Sequence, residues 1–280
     1  MRIEAFVKFV TERHMIAVNR AKGLPKPWTT DVILQSYRFC NVYRELDTVT
    51  EWVRQNWSTE YRASPDVWFA MVVARLVNQP STLNRLQPVP WVPREFIRVL
   101  NAQASLGVVV FNSAYIVSTN GRAMPKPQYL ADHVLSPMWE RRESLRPVQA
   151  DTLGSYHARL MEMQGMGSFM AAQVVADLKN TNGNVLRSAA DWWEWASPGP
   201  GSLRGMSRVY GQEPSKTGHR LVKWLQDVNT LRDAVNETFT MLGWKKLCAQ
   251  DVQNCLCEFD KYERVRLGEG RPKSKYPGAA

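Results

Sequence analysis

The sequence predicts a mostly α fold built from two closely packed helical lobes. Three observations carry the prediction. Apolar residues recur at three- and four-residue spacing through most of the chain, and Thr, Asp and Pro stand where helices would begin. A Gly165-Met166-Gly167 turn separates two apolar helical runs. The 280 residues are 44% hydrophobic and include 11 tryptophans, enough for a full-sized core and against disorder.

The first helix carries Ile3, Phe6, Val7, Phe9, Val10, Ile16 and Val18. After the Pro25–Trp28 connection, Thr30-Asp31 opens a second helix running through Ile33, Leu34, Tyr37, Val42, Leu46 and Val49. Pro65-Asp66 opens a third, Val67 to Asn78, and Pro93 a fourth. Between 108 and 121 the texture becomes β-branched and aromatic and ends in Asn120-Gly121, which predicts a small β-hairpin. Helices resume over 128–143, 151–180 and 214–263. Residues 1–265 read as a single unit, followed by a basic tail over 266–280. No repeat and no low-complexity segment interrupts it.

The net charge of +10 and pI near 9.6 suit a polyanionic partner. Six basic residues between Lys261 and Lys275, Lys273 among them, would add phosphate contacts. No window has the run of about 18 apolar residues that a membrane helix needs, and Met-Arg-Ile-Glu lacks a secretory core, so a soluble intracellular protein is expected. Cys248, Cys255 and Cys257 resemble part of an iron–sulfur loop. The last spacing is wrong and Cys40 lies far away in sequence, so buried structural thiols and no metal are expected.

Glycine takes positive φ without steric cost and lets another backbone approach closely. Gly165, Gly167 and Ala171 match the G-h-G turn and following alanine of the helix-hairpin-helix element, so the fold resembles that of the DNA glycosylases. That resemblance makes Gly165, Gly167 and Ser168 DNA-contacting residues. It also implies a monovalent cation held by backbone carbonyls of the hairpin and a catalytic aspartate after its second helix. Asp191, 24 residues beyond Gly167, is the candidate. As an alternative, Asp191 would cap a helix over Trp192–Trp195. No lysine occupies Ser168–Met170, which argues against a Schiff-base lyase.

A broader resemblance rests on Glu12-Arg13-His14, Lys26–Asp31, Ile33–Asp47, Ser118–Gly121 and Leu256–Tyr262. These look like bacteriophage glycosylase-like amino acid:DNA transferases, the α-glutamyl/putrescinyl thymine pyrophosphorylases. They also look like the helical domain attached to hydroxymethyluracil DNA kinases. The resemblance implies transfer of an amino acid or other amine onto pyrophosphorylated 5-hydroxymethyluracil in double-stranded DNA. The setting would be the cytoplasm of an infected host, with a hydroxymethyluracil DNA kinase as a partner and no redox cofactor. The chain has no G-x-x-x-x-G-K-[ST] loop.

Such chemistry needs a flipped base and cations for a leaving pyrophosphate. On the expected second helix, Tyr37 and Asn41, and Asn41 and Glu45, are four apart and share a face. Asn41 and Glu45 are therefore catalytic candidates beside Asp191. Tyr37, Arg38, Arg44 and Arg204 are candidates for holding pyrophosphate and base. A solvated helix face, with Arg44 paired to Asp47, is the alternative. Pro198–Gly205 reads as irregular, its N–H groups and Arg204 forming an anion nest or a plain loop. The tryptophans at 28, 52, 57, 192, 193 and 195 are candidates for stacking on a base. A true base-excision glycosylase and a non-catalytic DNA-binding module that recruits the kinase remain alternatives.

Overall fold

The computed structural model describes residues 2–112, 118–214, 221–270, 272 and 275. Its helices are α1 (Ile3–Ala21), α2 (Val32–Ser36), α3 (Thr48–Gln55), α4 (Trp57–Glu60) and α5 (Val67–Val77). Then come α6 (Pro80–Leu83), α7 (Pro93–Ser105), α8 (Lys126–Tyr129), α9 (Ser136–Glu140) and α10 (Arg142–Leu145). The last five are α11 (Leu153–Met161), α12 (Ser168–Lys179), α13 (Pro200–Val209), α14 (Leu221–Met241) and α15 (Ala249–Arg266). The chain divides into two compact units. Unit 1 comprises Met1–Asp47 with Trp193–Ala280, and unit 2 comprises Thr48–Trp192.

The fold is mostly α, as the apolar spacing predicts, and no strand occurs among the described residues. Val108–Val110 is irregular, and residues 113–117 of the expected β-hairpin lie outside the described residues.

Unit 1 is built on the packing of α13 against α15. Gly205 allows it, because a Cβ there would overlap the Leu256 carbonyl oxygen, and a Cβ at Gly201 would press on the Cys257 side chain at 3.1 Å. Phe6 and Phe9 of α1, Trp224 and Phe239 of α14, and Leu256 and Phe259 of α15 fill the core. Two arginines on α13 reach the fully buried Asp260 of α15, each Nε at 2.8 Å. A carboxylate so enclosed is tolerable only when paired and hydrogen-bonded.

The expected anion nest over Pro198–Gly205 is therefore corrected to a helix. Proline at its first position needs no N–H partner, and the Ser202 hydroxyl accepts the Gly199 N–H at 3.0 Å. Arg204 is held by Asp260 and faces no nest.

The expected helix from 30 to 49 is also corrected. Asp31 caps α2 by accepting the Ile33 and Leu34 N–H groups, but helix ends at Ser36, and Tyr37 is extended. Beyond it the backbone bonds elsewhere: the Cys40 N–H to Glu258 at 3.1 Å, and the Arg44 N–H to Asp251 at 2.8 Å. Only a 3-10 turn, Arg44–Leu46, follows before α3. The long helix expected over 214–263 is broken after Met241 and resumes at Ala249.

Unit 2 is organised round α5, every residue of which is buried. A helix that is apolar on all sides belongs in a core, and α12 packs along it. Arg75 of α5 is its one buried charge, and its Nε donates to Asp177 of α12 at 2.6 Å. The helix expected over 128–143 is segmented: α8 passes into a π turn over Leu130–Leu135, then into α9 and α10. No helix among the described residues is long and apolar enough to cross a membrane.

Candidate functional site

The hairpin forms where the Gly-Met-Gly turn predicts it, between α11 and α12 of unit 2. Thr152 and Ser155 cap α11 reciprocally, each hydroxyl accepting the other's backbone N–H at 3.0 Å. Asp191 completes the cap: Oδ1 accepts the Leu153 N–H at 2.7 Å and Oδ2 the Gly154 N–H at 3.0 Å. The first-turn amides of a helix lack internal partners, and its positive end favours a carboxylate. Asp191 thus caps a helix begun 38 residues earlier in the chain. Trp192–Glu194 form a turn, so the expected helix there is corrected.

The turn itself depends on Gly165, whose φ of +84° suits glycine. A Cβ at this position would also meet the Val134 methyls at 3.0 and 3.1 Å. Gly167 differs: it is the N-cap of α12, with φ −65°, and open space lies where a Cβ would stand. The His157 ring on α11 binds the Ser168 carbonyl at 2.9 Å and ties the two helices together. Gln164 and Asn120 both donate to the hydroxyl of buried Tyr129, at 3.1 and 2.9 Å.

A cavity of about 410 Å³ results, lined by Ser118, Asn120, Tyr129, Gly165, Gly167, Ser168, Phe169 and Met170. Phe169 stands at its rim, 50% exposed, on the first turn of α12. An apolar ring beside an open glycine at a helix N-terminus offers a phosphate approach and a stacking surface together. Gly165, Gly167 and Ser168 are brought together here. Lys273 lies outside the described residues. Sequence reasoning missed Phe169 as a site residue, although its place two residues after Gly167 marks it as the first large side chain beyond the turn.

The candidates from the 37–45 segment and Arg204 belong to unit 1 and do not share one helix face. Tyr37 is buried and Arg38 exposed. The Asn41 amide donates to the Leu46 carbonyl at 2.8 Å and closes a turn. Arg44 pairs with Asp47. Glu45 meets Lys245 at 2.6 Å. The polar stripe expected of Arg38, Asn41 and Glu45 is corrected with the helix that would have carried it.

Trp192 stacks under Lys179, whose Nζ lies 4.0 Å from the ring centroid. Of the six tryptophans considered for stacking, Trp193 is the exposed one. It lines a groove of about 660 Å³ in unit 1 with Arg232, Asn236 and Lys246, and with Glu194, Asp233 and Glu237.

Cys255 is buried in α15, and burial pushes the Cys257 thiol up to about 12. Among the described residues, no group of three or more His, Cys, Asp or Glu side chains is placed to hold a metal ion.

Comparison with known proteins places this architecture. The family described as "5-hmdU DNA kinase, helical domain" matches over residues 1–271. A "5-hmdU DNA kinase" of Bacillus phage SP10 is 23% identical over 281 residues, covering 92% of this chain and 44% of the kinase. The chain thus spans less than half the length of that relative. No solved structure matches. Matched along nearly its whole length, the chain belongs to the family of the 5-hmdU DNA kinase helical domain.

Proposed function

We propose that the chain acts in thymine hypermodification of phage DNA. It grips DNA at the α11–α12 hairpin and transfers an amino acid or other amine onto pyrophosphorylated 5-hydroxymethyluracil. The observation that carries this reading is the family match over residues 1–271. The +10 charge and the open turn at Gly167 support the DNA part.

In the transfer, a C–N bond forms between the donor nitrogen and the 5-methylene carbon. The C–O bond to pyrophosphate breaks, and its electron pair leaves with the pyrophosphate. The proton lost by the nitrogen needs an acceptor. Both Asp191 oxygens already accept a backbone N–H, and each retains a second lone pair, so Asp191 is the candidate base. Tyr37, Arg38 and Asn41 belong to unit 1 and take no part in this reading, and Arg44, Glu45 and Arg204 are held in ion pairs with Asp47, Lys245 and Asp260. No redox cofactor enters, and a monovalent cation at the hairpin carbonyls would steady the turn. The kinase of the same pathway supplies the activated base, and the setting is the cytoplasm of the infected host.

The test is mass spectrometry of nucleosides from DNA carrying pyrophosphorylated 5-hydroxymethyluracil, after incubation with the protein and a pool of amino acids and polyamines. The expected product gains the mass of one donor as pyrophosphate leaves. Unchanged DNA with every donor present would overturn the transfer, and released free base would assign glycosylase chemistry instead.

A second reading, a DNA-binding module that recruits the kinase, is favoured by one observation. The Asp191 carboxylate accepts the two helix-capping amides, a structural role. Under that reading, folded Asp191→Asn protein binds DNA normally and no variant alters base mass.

A further inference from the structure

We propose that unit 1 holds a binding site for the carboxylate group of a small molecule, in the cleft between α1 and the extended 37–41 segment. It belongs to a different unit from the hairpin and does not depend on the proposed transfer. The cleft encloses about 50 Å³ and is lined by Arg13, Arg20, Tyr37 and Asn41 with apolar residues including Leu34 and Phe39. Arg13 and Arg20 are seven apart on α1, two turns along one face.

The second observation is Arg13 itself. Its side chain is 8% exposed, and its Nη1 is buried without a hydrogen-bond partner. Its guanidinium is accompanied by the rings of Phe9 and Phe39, at 5.8 and 5.4 Å. Buried cations ordinarily carry a counter-charge, because an unpaired one is costly in a low-dielectric interior. No carboxylate lines this cleft. The acids around it are taken: Glu258 of α15 accepts the Cys40 N–H and pairs with Lys261, and Glu12 accepts the Thr29 hydroxyl at 2.9 Å. Asp31 accepts the Tyr262 hydroxyl at 2.6 Å as well as the amides of α2.

The cleft is therefore cationic and lined with donors, with no carboxylate among its lining residues. The shape of the donors selects the anion. The planar guanidinium fork matches a carboxylate in two hydrogen bonds.

The test is calorimetric titration of the full chain, at constant ionic strength, with acetate, glycine, inorganic phosphate and methylammonium. Acetate and glycine are expected to bind saturably, and methylammonium not at all. Glycine tighter than acetate would identify an amino acid as the source, and equal affinity a simple carboxylic acid. Arg13→Gln is expected to weaken binding at least tenfold. Should that buried substitution fail to fold, exposed Arg20→Gln and the conservative Tyr37→Phe are each expected to weaken it several-fold. Wild-type protein without saturable carboxylate binding, variants that bind as the wild type does, or phosphate bound more tightly than acetate would overturn the proposal. Amine transfer proceeding without carboxylate binding would overturn this site alone and leave the proposed function standing.

Discussion

The His157 ring donates from Nε2 to the Ser168 carbonyl oxygen at 2.9 Å, fastening the middle of α11 to the first residue of α12. Burial pulls the His157 pKa down, the bond to Ser168 partly opposes this, and the net direction is below the ordinary value. The unfolded chain therefore binds a proton before the folded one does, and stability falls as pH drops through the histidine range. His14 shifts the same way through burial. Urea midpoints are expected to be lower at pH 5.5 than at 7.5, with a smaller difference in His157→Gln. Asp151 does not interfere: burial opposes its ionisation, but Arg159 and the Val148 N–H hold it below the carboxylate range. Its contribution is lost only in stronger acid. Equal pH dependence in wild type and variant would contradict the role given to His157.

The two turn glycines are expected to behave oppositely. Gly165→Ala combines positive φ with contact on Val134 and should cost about 1–3 kcal/mol. Gly167→Ala meets open space at φ −65° and should stay within about 0.5 kcal/mol of wild type. Under the proposed function it still weakens DNA binding several-fold, by crowding the approach of a phosphate. Chemical denaturation and fluorescence anisotropy on the same preparations separate the two effects.

Asp191→Ala removes both acceptors from the first turn of α11 and should cost about 1–2 kcal/mol. Asp191→Asn retains one acceptor oxygen and should cost less. Turnover per folded molecule, with folding followed by circular dichroism, tells loss of a base from loss of a cap.

The buried pair of Arg75 and Asp177 gives a further test. Their side chains are 1% and 0% exposed, and Thr50 accepts a third bond from Arg75 at 2.8 Å. Asp177→Ala strands a cation in the core and should cost about 3–5 kcal/mol. The double change Arg75→Met with Asp177→Leu should cost less than that single one.

Helices set by local signals were legible in the sequence. Val67–Val77 follows its Pro-Asp start, and the hairpin follows its glycines. The segment after Tyr37 was not, because its backbone partners, Asp251 and Glu258, lie more than 200 residues away and leave no trace in local periodicity. The start of α13 was legible and misread. Pro200 at the first helical position and Ser202 two residues on are start signals, whereas Gly201 and Gly205 answer to packing against α15. At the candidate site the sequence points to the turn, but the cap formed by Asp191 and the burial of Arg13 depend on tertiary contacts.

Under the proposed function the α11–α12 hairpin grips DNA. The most direct test of that grip is anisotropy of a labelled duplex containing 5-hydroxymethyluracil, titrated over a range of salt, with wild type and a Gly167→Ala/Phe169→Ala variant. Wild-type affinity is expected to fall linearly on logarithmic axes with salt. The variant should bind at least tenfold more weakly while its denaturation midpoint stays close to wild type. A folded variant binding the duplex as tightly as the wild type at every salt concentration would contradict it.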